Sequence, residues 1–244
     1  MRFTLLIGAI AVLGASIALN IILLGQAKKY YLELNETRLD PIGLGYYSTS
    51  PSLSQNQPRI VFFGDSRAEN WTFPDLNHYE FIDRGISAQT SVQAIQRFSQ
   101  HVRPLQPKVV IVQIGINDLK TIALFPDRKA EIIANCRSNI EQIVRESNNL
   151  GAIVILTTIF PVGNVPLQRK PFWSDEIAQA IKEMNRDLAT LANDRVIVFD
   201  AFSILTDSQG KLRSNYQIDE LHLNQQGYSM LNQALIGQLE KLKF

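Results

Sequence analysis

The chain has 244 residues, of which 45% are hydrophobic and 19% charged, enough apolar material for one sizeable globular domain and an appended segment. Lys and Arg total 24 against 23 Asp and Glu, so no basic surplus indicates a nucleic-acid partner. Cys136 is the only cysteine, which excludes an intrachain disulfide and a cysteine-based metal site. The three histidines show no metal-ligand spacing, and the sequence predicts neither a metal nor a cofactor.

An uncharged apolar run, residues 3–24, opens the chain. As a helix it would rise about 33 Å, close to the ~30 Å hydrocarbon core of a bilayer. It exceeds the apolar stretch of about 7–15 residues that is typical of a cleavable signal, although Gly25-Gln26-Ala27 offers small residues for cleavage. We therefore expect residues 1–27 to be a retained transmembrane anchor, with a removed signal segment as the alternative.

The orientation of this segment follows from its flanks. Arg2 precedes the apolar run, whereas Lys28, Lys29 and Arg38 follow it, and counting basic residues favours a domain that stays inside. A short basic tail before a long apolar run is nevertheless typical of export signals. We expect the following domain to be extracytoplasmic, periplasmic or extracellular, and secreted if the segment is cleaved. Residues 28–58 show neither helical nor strand periodicity, which indicates a linker or strap.

Strand-like and helix-like segments alternate from residue 59 onwards, which predicts one domain over residues 59–244. The strand-like runs are Ile60–Phe63, Tyr79–Ile82, Val109–Ile114, Ala152–Thr158 and Val196–Phe199. Between and after them, apolar residues recur at helical spacing over Ile132–Val144, Ile177–Leu191 and Tyr228–Leu242. This alternation predicts parallel strands with helices on both faces, a three-layer α/β/α sandwich.

Polar groups follow four of these strands and would share one edge of the sheet, where open α/β sheets bind ligands. The groups are Gly64-Asp65-Ser66, Asp83-Arg84-Gly85-Ile86-Ser87, Gly115-Ile116-Asn117-Asp118 and Asp219-Glu220-Leu221-His222. Each alone could be a turn or a helix cap. Together they supply a serine, a histidine with a carboxylate three residues before it, an amide and a glycine N–H, the groups that acyl transfer needs.

These four blocks, in this order and at these spacings, resemble the SGNH-hydrolase superfamily of GDSL-type esterases and lipases. The resemblance covers residues 59–242. The four name-giving residues of the family map onto Ser66, Gly85, Asn117 and His222. Asp219 matches the acid of its D-x-x-H block. The resemblance implies a flavodoxin-like, five-stranded parallel sheet with strand order 2-1-3-4-5.

Each of these residues would have a defined role in acyl transfer. The hydroxyl of Ser66 would be the nucleophile, and His222 would take its proton and later return it to the leaving alcohol. Asp219 would hold the imidazole tautomer and stabilise the imidazolium. The oxyanion would be bound by the backbone N–H groups of Ser66 and Gly85 and by the side-chain amide of Asn117.

Three other residues could in principle be nucleophiles, and the sequence argues against each. Ser87 lacks the second glycine of a G-x-S-x-G elbow, and Ser208 lies in the turn Asp207-Ser-Gln-Gly. Cys136 falls on an apolar helix face, which is typical of the core. Ser66 therefore remains the predicted nucleophile.

The candidate substrate-binding residues are Arg67, Phe160, Phe172 and Trp173. The three aromatic residues lie in the proline-rich segment Phe160–Trp173, which could form a wall or lid of the site or a rigid loop with inward-packed rings. Arg67 stands where the family usually has leucine. It could contact an anionic substrate, and pairing with a carboxylate such as Glu69 or Asp118 is the favoured alternative.

The sequence therefore predicts a serine esterase that cleaves carboxylic esters of a small molecule, lipid or glycan through an acyl-enzyme. Two alternatives remain open. One is an O-acyltransferase or deacetylase of cell-surface glycans that uses the same triad. The other is a non-enzymatic binding module on the same fold, against which the complete set of five catalytic positions argues.

Overall fold

The computed structural model describes residues 2–48 and 57–242. It divides the chain into two compact units, Met1–Gly43 and Leu44–Phe244. The helices are α1 Arg2–Leu39, α2 Ser66–Glu69, α3 Ser91–His101, α4 Ile116–Leu119, α5 Lys129–Asn149, α6 Glu176–Ala189, α7 Ala201–Leu205 and α8 Gln225–Leu239. Short 3-10 turns cover Arg103–Leu105, Lys120–Ala123, Pro126–Arg128, Leu167–Phe172 and Ser214–Tyr216.

The first unit is dominated by α1, which at 1.5 Å per residue is about 57 Å long. Its apolar part has a mean hydropathy of 2.4, and by length and composition it is the one helix among the described residues that could cross a membrane. The helix continues to Leu39, so the first third of the predicted linker is helical. No proline or glycine interrupts residues 28–39, which explains the continuation.

The second unit is built on a five-stranded parallel sheet. Its strands are β1 Arg59–Gly64, β2 Glu80–Gly85, β3 Val109–Gln113, β4 Ile153–Thr157 and β5 Val196–Phe199. They are arranged in the order β2-β1-β3-β4-β5, which confirms the predicted order.

Both faces of the sheet are covered by helices, because successive strand residues point to opposite sides and both sets are apolar. In β1, Val61 and Phe63 join one core cluster together with apolar residues of α3, α5 and α6. Ile60 and Phe62 join a second cluster with apolar residues of α7 and α8. The three-layer α/β/α sandwich is therefore confirmed.

The register of the sheet aligns the ends of its central strands. Gly64 at the end of β1 pairs with Gly85 at the end of β2 and with Gln113 at the end of β3. The segments that follow these three residues therefore start from one common edge, where the predicted site residues meet.

A strap of residues 44–48 docks on this second unit ahead of β1. The hydroxyl of Tyr47 donates to Oδ2 of Asp83 at 2.9 Å, and the guanidinium carbon of Arg84 lies 4.5 Å from the centre of the Tyr47 ring. Nε2 of His101 lies 3.1 Å from the carbonyl oxygen of Leu44. The strap thus contacts both β2 and α3.

Candidate active site

Ser66 occupies the first position of α2, directly beyond β1. The chain turns at Gly64, where the Cβ of any other residue would lie 1.7 Å from the carbonyl oxygen of Gln113. Asp65 then caps α2, because its carboxylate accepts a 2.9 Å hydrogen bond from the backbone N–H of Arg67. The result is a serine at the carboxyl edge of the sheet with 8% of its surface exposed.

The capping residue Asp65 is completely buried. Burial raises its pKa from 3.8 to about 6, and the charge and backbone N–H of Arg67 offset only part of this shift. Its Oδ2 atom accepts no hydrogen bond from the described part of the chain. Ionisation of Asp65 is therefore less favourable in the folded protein than in water.

His222 lies in a loop between α7 and α8 that is closed at its base. An antiparallel bridge joins Gln217 to Leu223, and the N–H of Ile218 donates to the carbonyl of His222 at 2.8 Å. Asn224 then caps the start of α8 with its side chain. These contacts limit the positions that the imidazole can take.

The structure brings Ser66, His222 and Asp219 together. Oγ of Ser66 lies 3.0 Å from Nε2 of His222, and Nδ1 of His222 lies 2.8 Å from Oδ2 of Asp219. Oδ1 of Asp219 also accepts hydrogen bonds of 2.8 Å from the backbone N–H groups of Leu221 and His222. This arrangement allows a proton to pass from the serine hydroxyl to the imidazole.

The electrostatics of Asp219 agree with this arrangement. Burial alone would raise its pKa, but the hydrogen bonds from the His222 side chain and from the two backbone N–H groups outweigh burial and lower the pKa. The side chains of His222 and Asp219 remain 35% and 38% exposed. The pair is thus ordered by hydrogen bonds and open to solvent on one side.

A groove of about 510 Å³ opens beside His222 and Asp219. Its walls include the hydrogen-bonding side chains of Asn70, Thr72 and Gln225. Ile218, Leu223 and Tyr228 also line it, so the groove offers both polar and apolar contacts. Among residues 2–48 and 57–242, no cluster of His, Cys, Asp and Glu side chains could hold a metal ion.

Asn117 lies near the start of α4, beyond β3, and is buried. Its side-chain Nδ2 donates to the carbonyl oxygen of Gln89 in the loop after β2, at 2.9 Å. An amide carries two N–H groups, so one remains for another acceptor. The contact fixes the side chain and ties the loop after β3 to the loop after β2.

Gly85 differs from its predicted role. Its backbone N–H donates to Oδ1 of Asp83 at 2.7 Å, so this donor is already used within β2. A Cβ at Gly85 would lie 2.2 Å from the backbone nitrogen of Glu69. The glycine is needed because α2 packs directly on the end of β2.

Ala88, which the sequence argument missed, lies in the loop after β2 in a left-handed conformation with a φ of +63°. It is exposed and precedes Gln89, whose carbonyl Asn117 holds. Its backbone N–H donates to no acceptor in the described chain. A non-glycine residue at positive φ marks a constrained loop, but alanine carries no sequence signal for that conformation.

Arg67, a candidate substrate-binding residue, lies in the interior of the domain. It is fully buried, and its side chain donates to the backbone carbonyls of Leu221, Phe160 and Pro161 at 2.9, 3.1 and 3.5 Å. It pairs with neither of the carboxylates considered from the sequence. Burial lowers its pKa to about 10, so the guanidinium stays charged at neutral pH.

The three aromatic residues of the segment after β4 have different surroundings. Phe160 is completely buried, with its ring 5.8 Å from that of Trp71, and has no exposed surface for the predicted substrate contact. Trp173 is partly buried and packs against the core between the sheet and α3, α5 and α6. Phe172 is 66% exposed and is the most exposed of the three.

The chain was compared with known proteins and structures. Residues 45–230 match the model of the GDSL-like Lipase/Acylhydrolase family. The platelet-activating factor acetylhydrolase IB subunit alpha1 of Bos taurus is 26% identical over 195 residues, which cover 76% of this chain and 77% of that protein.

Two solved structures are similar in fold. The GDSL-like lipase of Bacteroides thetaiotaomicron VPI-5482 superposes with a TM-score of 0.67 at 23% identity, covering 82% of this chain and 98% of that one. An acetyl xylan esterase of Geobacillus stearothermophilus superposes with a TM-score of 0.58 at 17% identity, covering 75% and 94%. The family match spans most of the chain, including Ser66 and His222 and the five strands between and around them, and the chain belongs to the GDSL-like lipase/acylhydrolase family.

Proposed function

We propose that this protein is a serine esterase that hydrolyses carboxylic esters through an acyl-enzyme at Ser66. The observation that carries the proposal is the chain of contacts from Ser66 Oγ to His222 Nε2 at 3.0 Å and from His222 Nδ1 to Asp219 Oδ2 at 2.8 Å. A serine hydroxyl is a weak nucleophile at neutral pH and needs such a base within hydrogen-bond distance.

In the acylation step, Oγ of Ser66 attacks the ester carbonyl carbon while its proton passes to Nε2 of His222. The tetrahedral intermediate then collapses, the bond to the leaving oxygen breaks, and that oxygen takes the proton from His222 to depart as an alcohol. Asp219 keeps Nδ1 protonated and stabilises the imidazolium between the two transfers.

In the deacylation step, a water molecule attacks the acyl carbon and gives one proton to His222. The second tetrahedral intermediate breaks its bond to Ser66, whose Oγ recovers the proton from His222, and the carboxylic acid leaves. The enzyme returns to its starting protonation state.

Both intermediates carry an oxyanion that needs preorganised donors. The backbone N–H of Ser66 and the second N–H of the Asn117 amide are two of them. The N–H of Ala88 is the third candidate, in place of Gly85, because the Gly85 N–H is bonded to Asp83 and Ala88 adjoins the carbonyl that Asn117 holds. Of the four predicted substrate-binding residues, Phe172 and the exposed edge of Trp173 could contact a substrate.

The test is covalent labelling of the purified protein with a fluorophosphonate, followed by turnover of a p-nitrophenyl ester series of increasing acyl length. We expect stoichiometric labelling at Ser66, and we expect Ser66→Ala to lose both labelling and turnover. Ser208→Ala is the matched control, because Ser208 lies in an exposed turn, and it should behave as wild type. Labelling at Ser87 or Ser208 would overturn the assignment.

A second candidate differs in the alcohol part of the ester or in what resolves the acyl-enzyme. The groove beside His222 includes the hydrogen-bonding side chains of Asn70, Thr72 and Gln225 among its walls, and these could bind the hydroxyl groups of an alcohol such as a sugar. The protein would then be a deacetylase of glycans, or an O-acyltransferase if a sugar hydroxyl replaces water. Product analysis with and without a sugar acceptor separates transfer from hydrolysis, and absence of any turnover would support the binding module instead.

We propose that the apolar part of α1 anchors the protein in a membrane, with the hydrolase domain on the extracytoplasmic side. The length and hydropathy of α1 support the anchor, and the proposed side rests on the short basic tail before the apolar run. The domain boundary is proposed at Leu44 rather than residue 59, because residues 44–48 contact β2 and α3.

A further inference from the structure

Arg67 connects the nucleophile to the histidine loop through its side chain. It follows Ser66 directly, and its Nε donates to the carbonyl oxygen of Leu221, the residue before His222, at 2.9 Å. The N–H of the same Leu221 donates to Oδ1 of Asp219 at 2.8 Å. The Leu221 residue is therefore fixed on its carbonyl side by Arg67 and on its amide side by the catalytic acid.

The main chain of Arg67 makes a second connection to the same region. Its carbonyl oxygen accepts a 3.1 Å hydrogen bond from the hydroxyl of Tyr228, in the first turns of α8. His222 lies between Leu221 and Tyr228 in the sequence. One residue thus contacts the chain on both sides of His222.

The rest of the guanidinium is held rigidly. Nη1 and Nη2 donate to the carbonyls of Phe160 and Pro161, and the guanidinium carbon lies 5.2 Å from the centre of the Phe160 ring. None of the ion pairs among the described residues includes Arg67. A buried cation that is satisfied by backbone carbonyls holds α2, the histidine loop and the segment after β4 at set distances, because its donors have a fixed planar geometry.

We propose that Arg67 is a positioning residue that sets the distance between Ser66 and His222. The inference rests on the proposed function, since it concerns proton transfer within that site. Ser66, Arg67, Leu221 and His222 form a closed ring of covalent and hydrogen-bonded links, and the 3.0 Å contact between Oγ and Nε2 closes it. Without the guanidinium link, the hydrogen bonds between described residues that join α2 to this region would be that contact and the one from Tyr228.

The experiment compares wild type, Arg67→Leu, Arg67→Lys and Asn232→Ala in the full-length protein. Asn232 is the matched control, because its side chain joins the segment after α2 to α8, accepting from Nε1 of Trp71 and donating to the carbonyl of Thr72, each at 2.8 Å, without touching Leu221. The readouts are kcat and KM on p-nitrophenyl acetate, the rate of fluorophosphonate labelling, and hydrogen exchange of residues 217–224.

We expect Arg67→Leu to lower kcat and the labelling rate together by about 10- to 100-fold, because small misplacements of a catalytic base have effects of that size. KM should change less than about twofold, since Arg67 does not touch substrate. Exchange in residues 217–224 should become faster. Arg67→Lys keeps the charge but not the planar fork of donors, and its kcat should fall between wild type and Arg67→Leu. Asn232→Ala should lose stability yet retain kcat.

The outcomes separate this inference from the proposed function. Wild-type protein that neither labels nor hydrolyses would refute the proposed function itself. If the wild type is active and both Arg67→Lys and Arg67→Leu keep the wild-type kcat, the positioning role is overturned. A change confined to KM would overturn it as well. A fall in kcat that Asn232→Ala reproduces would assign Arg67 to general stability instead. If Arg67→Leu does not fold, Arg67→Lys measured against Asn232→Ala decides by the same criteria.

Discussion

Asn117 offers a test of the oxyanion site at the scale of one side chain. Its free N–H would bond to a charge that exists only in and near the transition state, so Asn117→Ala should lower kcat by about 10²–10³ and leave KM nearly unchanged. Asn135→Ala, on the exposed surface of α5, is the control for loss of an asparagine. Steady-state kinetics on one small ester provide the measurement, and an effect on KM alone would contradict the role.

The raised pKa of Asp65 predicts how the free energy of unfolding depends on pH. Its pKa is about 6 in the folded protein and 3.8 in the reference state, so between these values the folded state binds the proton more tightly. The contribution of Asp65 to the free energy of unfolding should therefore fall as the pH rises from about 4 to about 6, by roughly 3 kcal/mol, and stay constant above that.

Asp65→Asn removes this titration while keeping an effective helix cap. The difference in unfolding free energy between the variant and wild type should therefore grow in favour of the variant between about pH 4 and pH 6. Urea denaturation at several pH values measures it. A difference that does not change with pH would show that the pKa of Asp65 is the same in the folded and the unfolded protein.

At the scale of elements, the strap formed by residues 44–48 belongs to the hydrolase domain. Tyr47 Oη donates to Asp83, which also accepts the N–H of Gly85, so the carboxylate joins the strap to the end of β2. Burial raises the pKa of Tyr47, and burial likewise raises that of Asp83. The hydroxyl of Tyr47 also contacts the carbonyl oxygen of Gly85, so its one proton serves two acceptors at the end of β2.

Tyr47→Phe should lower the free energy of unfolding by about 1–3 kcal/mol, because it leaves a half-buried carboxylate oxygen without its donor. Urea denaturation of the protein starting at Lys28 measures the change. Tyr30→Phe, in the exposed part of α1, is the control and should have no effect. Equal stability of the two variants would show that the strap does not support β2.

At the scale of the whole molecule, the prediction is that α1 holds the protein in a membrane. If Phe3–Leu24 spans a bilayer, the full-length protein should resist extraction by carbonate and by high salt, because about 20 apolar residues hold a helix in the hydrocarbon core. A protein starting near Lys28 should be soluble and equally active on small esters. Recovery of intact, uncleaved chain in the soluble fraction would remove the membrane proposal.

The sequence by itself determined the layers of the molecule. The central strands β1, β3 and β4 are buried on both faces and almost entirely apolar, so composition alone located them, and the bounds of all five runs agree with the structure to within a few residues. The edge strand β2 continues through Asp83 and Arg84 to Gly85, beyond its apolar run. The blocks at the strand ends identified Ser66, Asn117, Asp219 and His222, because polar residues at that edge stand out against apolar strands. The strand order followed from the family resemblance these blocks carry.

Only the tertiary structure decided where individual side chains point. Arg67 bonds to Leu221, 154 positions away, and no local pattern indicates which backbone carbonyls surround a side chain. The same holds for Gly85, whose need for a missing side chain comes from α2 packing on it, and for the left-handed Ala88. Periodicity and composition report the local preferences of the chain, whereas hydrogen bonds across the fold depend on how distant segments approach one another.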